Sequence, residues 1–105
     1  MSYIIRFTEE ARQDMKKLDG SVKKQVVAAI LKVSKNPLPK NEGGLGNPLG
    51  NKHDNNLTGL CKIKILNPSI RIVYQLVRVD KVMNIIVIAA RSDDEVYKIA
   101  AERTK

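Results

Sequence analysis

The sequence predicts an α+β domain: a mainly antiparallel four-stranded sheet that carries an N-terminal helical hairpin and a short C-terminal helix. Three observations predict it. Apolar residues recur at helical spacing between residues 9 and 35, strand-like runs with short connections fill residues 61 to 90, and a helix-start signature follows at Ser92. At 105 residues the chain accommodates one domain, residues 1–105, large enough to bury a single core unaided.

The first run, Tyr3 to Phe7, reads as a strand closed by Thr8, whose hydroxyl can cap a helix with Glu9 and Glu10 at its positive end. Ala11, Met15 and Leu18 then mark one helix. Asp19-Gly20-Ser21 breaks it and offers Ser21 as the cap of a second, whose stripe is Val22, Val26, Ala29, Ile30 and Val33, with Lys23, Lys24, Lys32 and Lys35 off the stripe. Residues 36–57 hold three prolines and four glycines, show neither period and predict a long loop. Cys61 to Ile65, Ile70 to Val79 and Val82 to Ala90 predict an antiparallel three-strand meander, its first turn built on Asn67-Pro68-Ser69. Ser92 with Glu95 three residues on forms a capping box, so a helix starts just after Arg91.

Nineteen Lys and Arg against eleven Asp and Glu give a net charge of +8, which favours a polyanionic partner, nucleic acid or an acidic protein. The positive field is uneven: from Lys52 to Arg78 there are five cations (Lys52, Lys62, Lys64, Arg71, Arg78) and one acid, Asp54. A single cysteine, Cys61, excludes an intramolecular disulfide, and His53 is the one histidine, so no metal site and no cofactor are expected. The longest apolar run, Ile85 to Ala90, is far too short for a bilayer, and residues 1–7 show no signal-peptide pattern; a cytoplasmic protein with no membrane contact is expected.

Lys62 and Lys64 interrupt an apolar strand. Side chains alternate across a strand, so both ammonium groups point to one face about 6–7 Å apart, while Cys61, Ile63 and Ile65 point to the other. That spacing suits a row of phosphates. Taken singly, these lysines equally suit the solvated face of an edge strand, Arg71 suits an ion pair, and Tyr74 and Tyr97 suit the core.

Lys62-x-Lys64, then Arg71-Ile72-Val73-Tyr74, then Arg91 with Glu95-Val96-Tyr97, resemble the signature of RelE-type toxins of the RelE/ParE toxin–antitoxin superfamily, and the element order resembles that family over the whole chain. The resemblance implies a ribosome-dependent, metal-independent endoribonuclease that cleaves messenger RNA in the A site and so inhibits translation. It implies Lys64 as general base, Arg91 as general acid, Lys62 and Arg71 as cations on the scissile phosphate, and Tyr97 as a tyrosine that stacks on a nucleotide. Lys52 and Arg78, at the limits of the cationic stretch, are further candidates for RNA phosphate contact. The implied partners are an acidic antitoxin, the ribosome with its 16S rRNA, and messenger RNA, with operator DNA reached only through the antitoxin. Two departures stand out: Asp93 lies where the family often has a further arginine, and the 36–57 loop is longer than in short members.

The residues fit the chemistry. Cleavage by the RNA 2′-hydroxyl requires its deprotonation, stabilisation of charge on phosphorus, and protonation of the 5′-oxygen. Without a histidine pair the proton-transfer groups are Lys, Arg or Tyr, and like charges around Lys64 favour its neutral form. Arginine is effectively always protonated, so Arg91 is more credible in stabilising the leaving oxygen than in giving up a proton. The alternative function is non-catalytic: a ParE-like gyrase inhibitor, or a degraded toxin acting in repression. Toxicity that survives Lys64→Ala and Arg91→Ala, with no message cut, would favour it.

Overall fold

The structure, a computed structural model, describes residues 2–52 and 55–105, for residues 51, 52 and 55 the backbone alone. Among these residues the elements run β1 (Ile4–Phe7), α1 (Glu9–Lys16), α2 (Gly20–Ser34), a 3-10 turn (Lys40–Glu42), β2 (Asn47–Lys52), β3 (Asn55–Ile65), β4 (Ile70–Val77), β5 (Val82–Ala89) and α3 (Asp93–Arg103). The sheet order is β1-β5-β4-β3-β2, with β1 parallel to β5 and every other pair antiparallel.

The class is the expected one, but the sheet has five strands rather than four. The extra strand, β2, lies in the segment expected to be loop. Its sequence, Asn-Pro-Leu-Gly-Asn-Lys, has almost no strand propensity, and what makes it a strand is pairing with β3, together with burial of Leu49. The register slips between Pro48 and Gly50, and Gly50 and Gly59 take positive φ (60° and 87°) on either side of the slip, conformations that a side chain would oppose. Upstream, Tyr74 in the core donates a 2.7 Å hydrogen bond to the Pro37 carbonyl, which ties the loop to the sheet.

The helices begin where short polar side chains can serve them. Thr8 accepts from the Ala11 amide at 3.1 Å, and Ser92 accepts from the Glu95 amide. Helix α2 starts earlier than Ser21: Asp19 is its cap residue, without a side-chain cap bond, because the backbone turns helical immediately after the three-residue link from α1.

Two cores sandwich the sheet. On one face Ala11, Val26, Ile30 and Val33 of the hairpin meet Cys61, Ile63, Ile72, Tyr74 and Ile85. On the other, Val96, Tyr97 and Ala100 of α3 meet Leu57, Leu60, Val73, Ile86 and Val87. Consecutive Ile86 and Val87 share a face because β5 has one extra residue there: Val73 pairs with Val87 and Tyr74 with Ile85. The bulge resets the alternation, so the last residues of β5 lead towards α3.

A cationic cluster at one end of the sheet

The alternation on β3 holds. Cys61 and Ile63 are buried under the hairpin, while Lys62 and Lys64 project to the face that α3 partly covers. Strand β3 lies between β2 and β4, but β2 pairs with it only as far as Asn47 opposite Lys62, so Lys62 is an interior position whereas Lys64, beyond that pairing, has a strand neighbour on the β4 side alone. Lys64 sits directly opposite Arg71, which in turn sits opposite Ala89, two residues before Arg91. Directly opposed like charges destabilise a sheet, yet here two cations face each other with a third next along the strand.

The cluster is organised by the start of α3. Asp93 accepts a hydrogen bond from Arg71 Nε and lies 3.8 Å from the Lys62 ammonium. The Arg71 Nη1 donates to the Arg91 carbonyl at 2.6 Å and to Ser69 Oγ at 3.3 Å, so this guanidinium, 15% exposed, ties the β3–β4 turn to the β5–α3 junction. Lys62 donates to the Tyr97 hydroxyl at 2.9 Å, with its ammonium 5.5 Å from the Tyr97 ring centre. Arg91 is 59% exposed and pairs at 3.0 Å with Glu95 one turn into α3. Lys64 is exposed, and no ion pair of Lys64 is found among the described residues. Burial alone would push the Asp93 carboxyl upward; the Arg71 hydrogen bond and the charges of Lys62, Arg71 and Lys64 outweigh it and hold it below the usual carboxylate range.

A cleft of about 650 Å³ opens beside the cluster, between the end of α1, the end of β5 and α3, with Lys17, Arg71, Arg91, Ser92 and Arg103 on its walls. Its floor is fixed by Asp14, which accepts two bonds from Arg103 (2.7 and 3.2 Å) and one from the Ile88 amide.

The structure therefore brings together Lys62, Lys64, Arg71, Arg91 and Tyr97. It does not bring Arg78 to them. Arg78 lies beyond the opposite end of β4, seven residues and about 23 Å of strand from Arg71, in a two-bond pair with Glu42 (2.7 Å each). Lys52 ends β2 by its backbone, and its side chain lies outside the described residues, as does all of His53. Tyr97 is 4% exposed, so its ring offers no open face on which a base could stack; its hydroxyl holds Lys62 instead. Cys61 is a core thiol, pushed up by burial. The sequence pattern located the cations and missed Asp93 as the counter-charge shared by Lys62 and Arg71, because a place in the first turn of a helix explained that acid without any partner across the fold. Among the described residues no group of three or more His, Cys, Asp or Glu could hold a metal ion, and no helix is long and apolar enough to cross a membrane.

The fold and the cationic sheet end define a small α+β domain built to meet an anion, and comparison with known proteins finds its likeness among small toxins. No protein-family model matches the chain. An Escherichia coli protein named a RelE-like toxin is 25% identical over 105 residues, with both chains covered in full. A free-state mutant of E. coli toxin RelE with two arginines changed to alanine superposes with a TM-score of 0.79 at 26% identity over the whole of both chains. A chain of the toxin–antitoxin complex RelBE2 from Mycobacterium tuberculosis gives 0.69 at 26% identity, over 89% of this chain and 95% of that one. Over its whole length the chain is similar to RelE-type toxins.

Proposed function

We propose that the chain is the toxin of a toxin–antitoxin pair and acts as a ribosome-dependent endoribonuclease on messenger RNA. The observation that carries this reading is the placement of Lys64 opposite Arg71, with Lys62 on the same face and Arg91 just past the neighbouring strand. Such crowding works against sheet stability unless an anion occupies it.

Arg71 and Lys62 bind the non-bridging oxygens of the scissile phosphate and stabilise the charge that grows on phosphorus. Lys64, exposed and next to them, is the base that takes the 2′-hydroxyl proton. As the bond from phosphorus to the 5′-oxygen breaks, Arg91 stabilises the leaving oxygen, which takes its proton from water. Tyr97 is a positioning residue that fixes Lys62 through its hydroxyl. The cations themselves supply the charge stabilisation, so the mechanism calls for no metal or cofactor. The adjoining cleft has room for the RNA that flanks the cut. The RelBE2 relative is a toxin–antitoxin complex; here the net charge of +8 makes an acidic antitoxin the fitting partner.

Arginine and lysine are poor proton-transfer groups near neutral pH, and the ribosome compensates by holding the message in line for attack. Purified protein should leave free message intact and cut it in the A site of programmed ribosomes. Equal cutting of both would remove ribosome dependence, and no cutting of either would overturn the nuclease reading.

A further inference from the structure

We infer that Asp93 is a resident anion occupying the scissile-phosphate position, and that RNA enters the site only by displacing this carboxylate from Arg71 and Lys62. The inference rests on the nuclease reading for the identity of the displacing anion, and on the geometry for the rest. Asp93 is the first residue of α3, and its Oδ1 alone bridges the two least exposed cations of the cluster, accepting from Arg71 Nε and lying 3.8 Å from Lys62 Nζ.

Two of the other donors near Asp93 are already used. Arg71 Nη1 is held by the Arg91 carbonyl and Ser69, and Lys62 is held by Tyr97. A phosphate lying between the two cations would take the Arg71 Nε–H and the open side of the Lys62 ammonium, and Asp93 sits on both. A carboxylate and a phosphate oxygen compete for the same charge-assisted bonds. The carboxylate is tethered, so it is present at a high effective concentration that dilute free RNA does not match. A message held in the A site is itself tethered, and the competition turns in its favour. The consequence is a selectivity device: Asp93 weakens the site for any loose polyanion and leaves it open to RNA that another body has positioned.

The test measures affinity for a short single-stranded RNA made uncleavable by 2′-O-methyl groups, by fluorescence anisotropy at fixed ionic strength, for the whole chain and its variants. Asp93→Asn should bind about three- to tenfold tighter. Asp80→Asn, which removes the same charge at the distant β4–β5 turn, should change affinity by less than about twofold. In an Arg71→Ala background Asp93→Asn should give no gain. Weaker binding by Asp93→Asn would overturn the inference and make Asp93 a residue that orients Arg71 for substrate. An equal gain with Asp80→Asn, or one that survives Arg71→Ala, would reduce it to bulk charge.

A second readout separates this inference from the nuclease reading. In a titration with inorganic phosphate followed by NMR, the Arg71 Nε–H of Asp93→Asn should shift at several-fold lower phosphate than that of the wild type. If that holds while the wild type cuts no message on ribosomes, occupancy stands and the nuclease reading falls. If ribosomal cutting is seen but the two titrations coincide, the nuclease reading stands and occupancy falls.

Discussion

Strand β4 carries an arginine at each end, Arg71 towards α3 and Arg78 just beyond the other, and each is paired with a carboxylate. By pair geometry alone Arg78 is the better bound: Nη1 donates to one Glu42 oxygen and Nη2 to the other, each at 2.7 Å. Yet that end is electrically closed, one cation to one anion, and the arginine is 54% exposed. At the Arg71 end Lys62 and Arg71 converge on one acid, Asp93, Arg91 pairs with Glu95, and Lys64 stands opposite Arg71 with no ion pair found among the described residues. The difference teaches that convergence rather than pairing marks the site. A two-bond ion pair on the surface fastens a loop and contributes little, whereas an excess of cations held by secondary structure keeps a standing demand for an anion.

The sharpest way to break the comparison is at Lys64. Lys64→Ala should lower cleavage on programmed ribosomes about 100-fold or more without lowering the melting temperature, because the side chain is exposed and its charge opposes Arg71. Cleavage near the wild-type rate would move the base elsewhere.

Tyr97→Phe comes next. It keeps the buried ring and deletes the hydroxyl that receives Lys62, so the cut should slow about three- to tenfold with substrate affinity less affected. A large loss of affinity would instead return the residue to direct contact with a base.

At the Arg78 end the effect should fall on stability alone. Tyr74→Phe removes the bond to the Pro37 carbonyl and should cost about 1 kcal/mol in chemical denaturation, with cleavage unaltered. Reduced cleavage there would show that the loop reaches the site.

The smallest effect is in acid. Asp93 has its folded-state pKa lowered, on balance, by Arg71, Lys62 and Lys64 against the opposing push of burial. Its contribution to stability is therefore present above the unfolded-state carboxylate value, about 3.9, and is lost as pH falls through the lower folded-state value. The melting-temperature gap between wild type and Asp93→Asn should be constant from pH 7 to about 5 and close below about 4. A gap that persists at pH 2 would assign it to packing of α3.

Much of this was legible in the sequence because the physical causes are local. Alternation on a strand placed Lys62 and Lys64 on one face, and Ser92 with Glu95 fixed the start of α3. What escaped depends on contacts distant along the chain. Strand β2 exists because β3 offers it an edge, Asp93 meets Arg71 across 22 residues, and Arg103 meets Asp14 across 89. Arg78 misled for the same reason: its charge is visible in the sequence, whereas Glu42, 36 residues earlier, is recognisable as its partner only after folding.

The most direct test sets the two arginines against each other. Arg71→Ala and Arg78→Ala remove the same group from opposite ends of one strand, and both proteins can be assayed for A-site cleavage on the same programmed ribosomes by primer extension. The account predicts a loss of about 100- to 1000-fold for Arg71→Ala and a wild-type rate for Arg78→Ala. Equal rates, or a greater loss at Arg78, would contradict it.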